Sequence, residues 1–243
     1  MYENVTRRSV LGTGVVAALG GTALSGDTDV LEQPVSAALS RSFDIDGDGT
    51  EHVQFTATED PDPDGERGTV LQATSQGQPT KDYAVSLQNI TSAKLTLDDL
   101  VSEGLSYEYY VGEDNTSMAP NELCLVLTGR GSGMDLVFRT KDDDRNGGWY
   151  TRDVTPELTG DSDLPGSDQP WKRLHVTRKN VAAMDGSNVE HLDENLLERF
   201  DGETRVRAAG LGHGTPTMEP SVIETYYDEF TVAGTEYELS TTD

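Results

Sequence analysis

Three aspartates stand at alternate positions in Asp44-Ile45-Asp46-Gly47-Asp48-Gly49. Alternate carboxylates can converge on one hard cation, and a glycine permits the sharp turn, as at the opening of a calcium loop. The twelfth loop position, where an EF-hand needs a bidentate Glu, is Phe55. Two readings follow. Asp44, Asp46 and Asp48 form a looser calcium site, or they are an acidic turn before a strand starting near His52. A chain with 44 Asp and Glu favours the turn.

No other motif demands catalysis. There is no His-Glu-x-x-His, and His52, His175, His191 and His213 are scattered. No Gly-x-Ser-x-Gly elbow is present, and Gly129-Arg130-Gly131-Ser132-Gly133 has the wrong spacing. Gly210, Gly212 and Gly214 end a strand pattern without opening a helix, so they are no dinucleotide fingerprint. Cys124 is the single cysteine, which excludes an internal disulfide and a cysteine-type zinc cluster. Its apolar neighbours Leu123, Leu125, Val126 and Leu127 predict a buried, inert thiol.

Aromatic side chains offer binding chemistry instead. Their planes can lie against the apolar faces of sugar rings while nearby polar groups bond the hydroxyls. Trp149 and Tyr150 follow the turn at 142–148, Trp171 follows a second turn, and His213 lies in the glycine-rich stretch 211–215. These four are the candidate ligand-binding residues. Both tryptophans can equally serve as core anchors. Asn89-Ile90-Thr91 and Asn115-Thr116-Ser117 are sequons that could carry glycans at Asn89 and Asn115.

These residues must be positioned by strands. Short apolar or alternating runs recur at 52–58, 68–74, 83–88, 93–97, 105–111, 122–128, 134–140, 149–154, 171–177, 204–211, 223–232 and 236–239. Turn-rich loops at 59–65 and 155–170 separate them. Leu105-Ser106-Tyr107-Glu108-Tyr109-Tyr110-Val111 puts apolar or aromatic residues at the odd positions, the period of a half-buried strand. Glu122–Leu127 is nearly continuous, as in a central strand covered on both sides. Many short strands with Gly, Asp and Pro turns predict an all-β jelly-roll sandwich. One short surface helix is expected: Ser187…Glu190 reads as a capping box, and Leu192, Leu196, Leu197 and Phe200 follow at helical spacing.

The chain opens differently. Arg7 and Arg8 directly precede an uncharged Gly-, Ala- and Val-rich stretch at 10–24, and Ala23-Leu24-Ser25 supplies small residues at its exit. This is an export-signal pattern, and the arginine pair points to the twin-arginine route. The expected organisation is a signal segment at 1–25, a linker at 26–40 and one sandwich domain at 41–243, secreted or displayed on the cell surface. No stable membrane insertion is expected once the signal is removed.

Charge narrows the partners. Against 44 acids stand 18 basic residues, a net charge of -26, and removal of 1–25 leaves -27. No Lys/Arg cluster could track phosphates, so nucleic acid is excluded as a partner. An anionic membrane surface would repel the chain. Such a surface repels itself at low salt, and molar salt screens it. With five lysines and a pI near 4.2, the composition resembles haloarchaeal proteins.

Leu105–Asp114, Ala119–Leu127, Trp149–Thr155, Trp171–Leu174, Thr204–Thr215 and Ile223–Gly234 form an ordered series of motifs. A tyrosine-rich strand precedes a central apolar strand, a Trp-Tyr strand, a Trp-opened strand and a last strand with an aromatic–Asp pair before a glycine. The series resembles the concanavalin-like and carbohydrate-binding-module jelly rolls. The resemblance implies a sandwich that binds polysaccharide or cell-envelope glycan. It also implies a structural calcium held by an early acid and a late strand Asp, the position of Asp228. The laminarinase-type Glu-x-Asp-x-x-Glu of catalytic relatives has no match. The leading expectation is thus a non-catalytic glycan-binding module. A glycan hydrolase or lyase, or a structural envelope or virion protein, are the alternatives. If the acidic surface is a high-salt design, dialysis below about 0.5 M salt abolishes near-UV circular dichroism; a signal retained in dilute buffer contradicts it.

Overall fold

A computed structural model describes residues 38–44, 48–65, 67–90, 93–117, 121–129, 133–141, 147–160, 171–176, 189–192, 194–214, 220–237 and 239. The expected signal with Arg7 and Arg8 lies outside them, as does Asp46.

The strands are β1 (Ala38–Phe43), β2 (Gln54–Glu59), β3 (Thr69–Thr74), β4 (Tyr83–Asn89), β5 (Leu105–Val111), β6 (Asn121–Thr128), β7 (Met134–Lys141), β8 (Trp149–Asp153), β9 (Lys172–Val176), β10 (Glu190–His191), β11 (Val206–His213), β12 (Glu224–Val232) and β13 (Thr235–Tyr237). They pair antiparallel into two sheets. The seven-stranded sheet runs β1-β4-β11-β6-β7-β9-β10, and the six-stranded sheet runs β2-β3-β12-β5-β8, with β13 on β12. The chain passes repeatedly from one sheet to the other, so the molecule is the expected two-sheet β-sandwich. β1 opens three residues inside the stretch expected as linker.

Alternation builds the core. In β5, Leu105, Tyr107, Tyr109 and Val111 point inward and are buried, while Ser106, Glu108 and Tyr110 are only half-buried. Tyr107 packs edge-on against Tyr109 and Tyr227, and tilted against Phe230. Tyr227 and Phe230 both face inward although three residues apart, because a bulge interrupts the β12–β5 register after Asp228. Glu229 sits in that bulge with φ 46, and such insertions shift strand parity. β6 is covered on both sides, as its apolar run predicts. Leu123, Leu125 and Leu127 enter the inter-sheet core. Cys124 and Val126 join Tyr83, Val85, Leu87, Leu136, Phe138, Leu174 and Ala208 in a second apolar cluster on the opposite face.

Among the described residues there are three helices rather than one. Helix α1 (Leu97–Glu103) occupies part of the expected strand 93–97. Thr96 accepts from the Asp99 N–H and the Asp99 carboxylate accepts from the Thr96 N–H. This capping box starts the helix, and buried Leu97 and Leu100 hold it on the core. Helix α3 (Leu196–Arg199) is shorter than expected and starts from an Asn195–Glu198 box; Glu190 lies in β10.

Helix α2 (Thr155–Thr159) carries the residue that ties the layers together. Its Glu157 is 3% exposed. Arg152 of β8 donates from Nε and Nη2 to the two Glu157 oxygens at 3.3 and 2.9 Å, and from Nη1 to the Tyr107 hydroxyl at 2.7 Å. Arg139 of β7 places its Nε 2.8 Å from the same carboxylate. β8 and β7 belong to different sheets, so one carboxylate clamps both. Removing one member of a buried ion pair strands the others, at about 3–5 kcal/mol. Glu157→Ala should lose at least ~3 kcal/mol in urea unfolding at molar salt; a loss below ~1 kcal/mol would show that packing alone joins the sheets.

Candidate functional site

The outer face of the six-stranded sheet carries a row of side chains at one level. Thr56 pairs with Gln72, Gln72 with Tyr226, Tyr226 with Tyr110, and Tyr110 with Trp149. Strand spacing of 4.7–4.9 Å sets Gln72 and Trp149 about 14 Å apart. Tyr110 lies between two aromatics, with ring centroids 5.9 Å from Tyr226 and 5.8 Å from Trp149. Gln72 donates to the Tyr226 hydroxyl at 3.0 Å, and that hydroxyl donates to Glu224 at 2.8 Å. All five are flat or polar groups; Thr56, Gln72, Tyr110 and Trp149 are half-buried and Tyr226 is 9% exposed.

Charged residues border the row. Arg67 stacks its guanidinium over Trp149, 4.4 Å from the ring centroid. Its Nη1 donates to Asp228 at 3.1 Å and its Nη2 lies 2.5 Å from Glu108. Trp149 donates its indole N–H to Asp60 at 3.0 Å, and the Arg67 N–H donates to the same carboxylate at 3.2 Å. The segment around Asp60 and Arg67 is thereby held at the Trp149 end. At the Tyr226 end, Glu224 accepts from the Asp114 N–H. A Cβ at Gly112 would displace the Glu224 carboxylate. Burial, then the charges of Asp62 and Glu113, push the Tyr110 hydroxyl up.

The other expected site residues fall elsewhere. Tyr150 points inward and packs on Tyr109 at 6.0 Å. Trp171 is 1% exposed, with its N–H given to the Glu157 carbonyl; it is a core anchor. His213 is not in a loop. It ends β11, is 1% exposed and meets the Tyr227 hydroxyl through Nε2. Burial pulls it down to about 3, so it is a neutral core residue. Asp44 accepts from the Gly49 N–H, and Asp48 accepts from the Thr50 N–H and meets His52 at 3.1 Å. Asp228 accepts from Arg67 on the outer face of the six-stranded sheet. Asn89 is exposed at the end of β4. Asn115 is engaged at both amide atoms, accepting from the Glu224 N–H and donating to the Ser117 carbonyl.

A second polar cluster sits on the opposite face of the molecule. Tyr83 donates to Glu122 Oε1 at 2.6 Å, and Cys124 Sγ lies 3.3 Å from the same hydroxyl. Gly212 leaves room for this, because a Cβ there would strike the Tyr83 oxygen and Cys124 Sγ. Among the described residues, Glu122 Oε2 has no hydrogen-bond partner. With Glu122 2% exposed and its apolar neighbours 0–8% exposed, a polymer has no access.

Sequence reasoning singled out Trp149 and did not reach Gln72, Tyr226, Arg67 or Glu108. Tyr110 occupied an even, outward position in β5, and that signal was available. Arg67, Glu108, Gln72 and Tyr226 come together only through strand register. No family model matches the chain, and no curated protein or solved structure does either.

Burial, opposed by the Tyr83 hydrogen bond and the Lys172 charge, pushes Glu122 up to about 7. An acid raised on folding favours the folded state at low pH. That contribution is complete below the unfolded value of 4.5 and is lost as pH rises through about 7. Glu122→Gln should therefore gain stability relative to the parent between pH 5 and 8, by roughly 3 kcal/mol at the upper end. Parallel pH profiles in urea unfolding would refute the assignment.

Proposed function

We propose that this chain is an exported, non-catalytic glycan-binding sandwich that holds a polysaccharide along the outer face of its six-stranded sheet. One observation carries the reading: the register that aligns Gln72, Tyr226, Tyr110 and Trp149 across four adjacent strands. A flat row with polar edges suits a sugar chain. Ring faces lie against aromatics, and hydroxyls meet the Gln72, Glu224, Glu108 and Asp228 side chains. Arg7-Arg8 and the uncharged stretch behind them support export, and the acidic surface supports work in strong salt. The calcium reading of Asp44, Asp46 and Asp48 belongs to this proposal only as a structural support for the loop before β2.

A glycan array and affinity electrophoresis in 3 M KCl test it. The wild type is expected to retain at least one polysaccharide. Trp149→Ala and Tyr226→Ala should each weaken retention at least roughly tenfold with near-UV circular dichroism preserved, the cost of losing an aromatic contact. No retained glycan overturns the proposal, and steady release of reducing ends replaces it with the hydrolase reading.

A further inference from the structure

Resting on that reading, we infer that this face selects neutral sugar chains and rejects chains bearing carboxylates, with Glu108 and Asp228 making the choice by engaging Arg67. Three observations converge on it. The first is the sign of the border. Asp60, Glu108, Glu224 and Asp228 line the row, and among the described residues hydrogen-bonded or ion-paired to these four side chains the one cationic side chain is Arg67. Glu229 shows the same field, its carboxyl raised by the nearby charges of Glu108, then by its own burial, with Arg67 opposing.

The second is that Arg67 is already engaged. Its two terminal nitrogens go to different carboxylates on neighbouring strands, and its plane lies on the Trp149 ring. A fork of this kind is the group that would grip a ligand carboxylate bidentately. Here both of its arms are directed at the protein. A sugar carboxylate laid on the row would therefore meet Glu108 and Asp228 with the Arg67 guanidinium already engaged by them.

The third is the acceptor capacity that remains. An ionised carboxylate offers about four lone-pair sites, and Asp228 gives one oxygen to Arg67. A neutral sugar hydroxyl donates into that capacity at no charge cost. A like charge in direct contact weakens binding. Contact distances are comparable to the ~3 Å Debye length of molar salt. High salt thus removes the long-range repulsion of a chain at -26 but leaves this local discrimination in place.

Matched polymers decide it. Soluble glucan, mannan and galactan are compared with the same polymers after oxidation of their C6 hydroxyls to carboxylates, by affinity electrophoresis in 3 M KCl. The wild type should bind the neutral member of a retained pair at least roughly tenfold more tightly, a like-charge penalty of the expected size. Glu108→Gln/Asp228→Asn leaves Arg67 available and should raise affinity for the oxidised form roughly tenfold. Adding Arg67→Gln should abolish that gain. If the double variant does not fold, Asp228→Asn alone should show a smaller gain in the same direction. Equal or tighter wild-type binding of oxidised polymer, or a gain that persists without Arg67, overturns this inference and leaves the glycan-binding reading standing. Retention of neither form overturns the reading itself.

Discussion

Glu157 holds two arginines from two different sheets on one buried carboxylate. Arg152 comes from the six-stranded sheet, Arg139 from the seven-stranded sheet, and Glu157 from the short helix between β8 and β9. Around this group the core is close to dry: Trp171, Tyr107 and Leu158 are at most 1% exposed. Such a group is expensive to bury and strongly destabilising to break. It defines where β8 must lie against β7. That placement sets the edge of the six-stranded sheet, and with it the position of Trp149, three residues before Arg152. Burial also removes the clamp from the influence of salt, whereas the exposed carboxylates respond to it directly.

The two outer faces of the sandwich have opposite characters for a physical reason. On the seven-stranded sheet the outward residues of β4, β6, β7 and β9 are mostly apolar, and they are buried. On the six-stranded sheet the outward residues are Gln72, Tyr226, Tyr110, Trp149, Glu108 and Asp228. They remain half-exposed except for Tyr226, at 9%. The first face buries its carboxyl, Glu122, and thereby raises it. The second sets the Glu108 and Asp228 carboxylates against Arg67 at a half-buried surface. Polar groups on the second face are present and partly reachable from solvent.

Much of the fold was legible in local pattern. The alternation of Leu105–Val111 announced β5 and its inward face, and the continuous run Glu122–Leu127 announced a strand covered on both sides. Helix α1 was missed because Ala93–Leu97 alternates like a strand, while the Thr96–Asp99 box acts only once Leu97 and Leu100 have a core to enter. Ser187…Glu190 misled in the opposite direction: Glu190 pairs with Arg173 in a sheet, and tertiary pairing outweighed a capping pattern.

The candidate site divides the same way. Residue types and periodicity by themselves determined the sandwich, the acidic surface, the lone buried thiol and the possibility that Trp149 serves a ligand. They could not choose between Trp149 and Trp171, since both follow turns and both open strands. Only tertiary structure placed one under Arg67 on the surface and the other against Glu157 in the core. It also placed Asp228 against Arg67, 161 positions away. The reason is that periodicity fixes which face of its own strand a side chain takes. Register between strands distant in sequence decides which neighbours it meets.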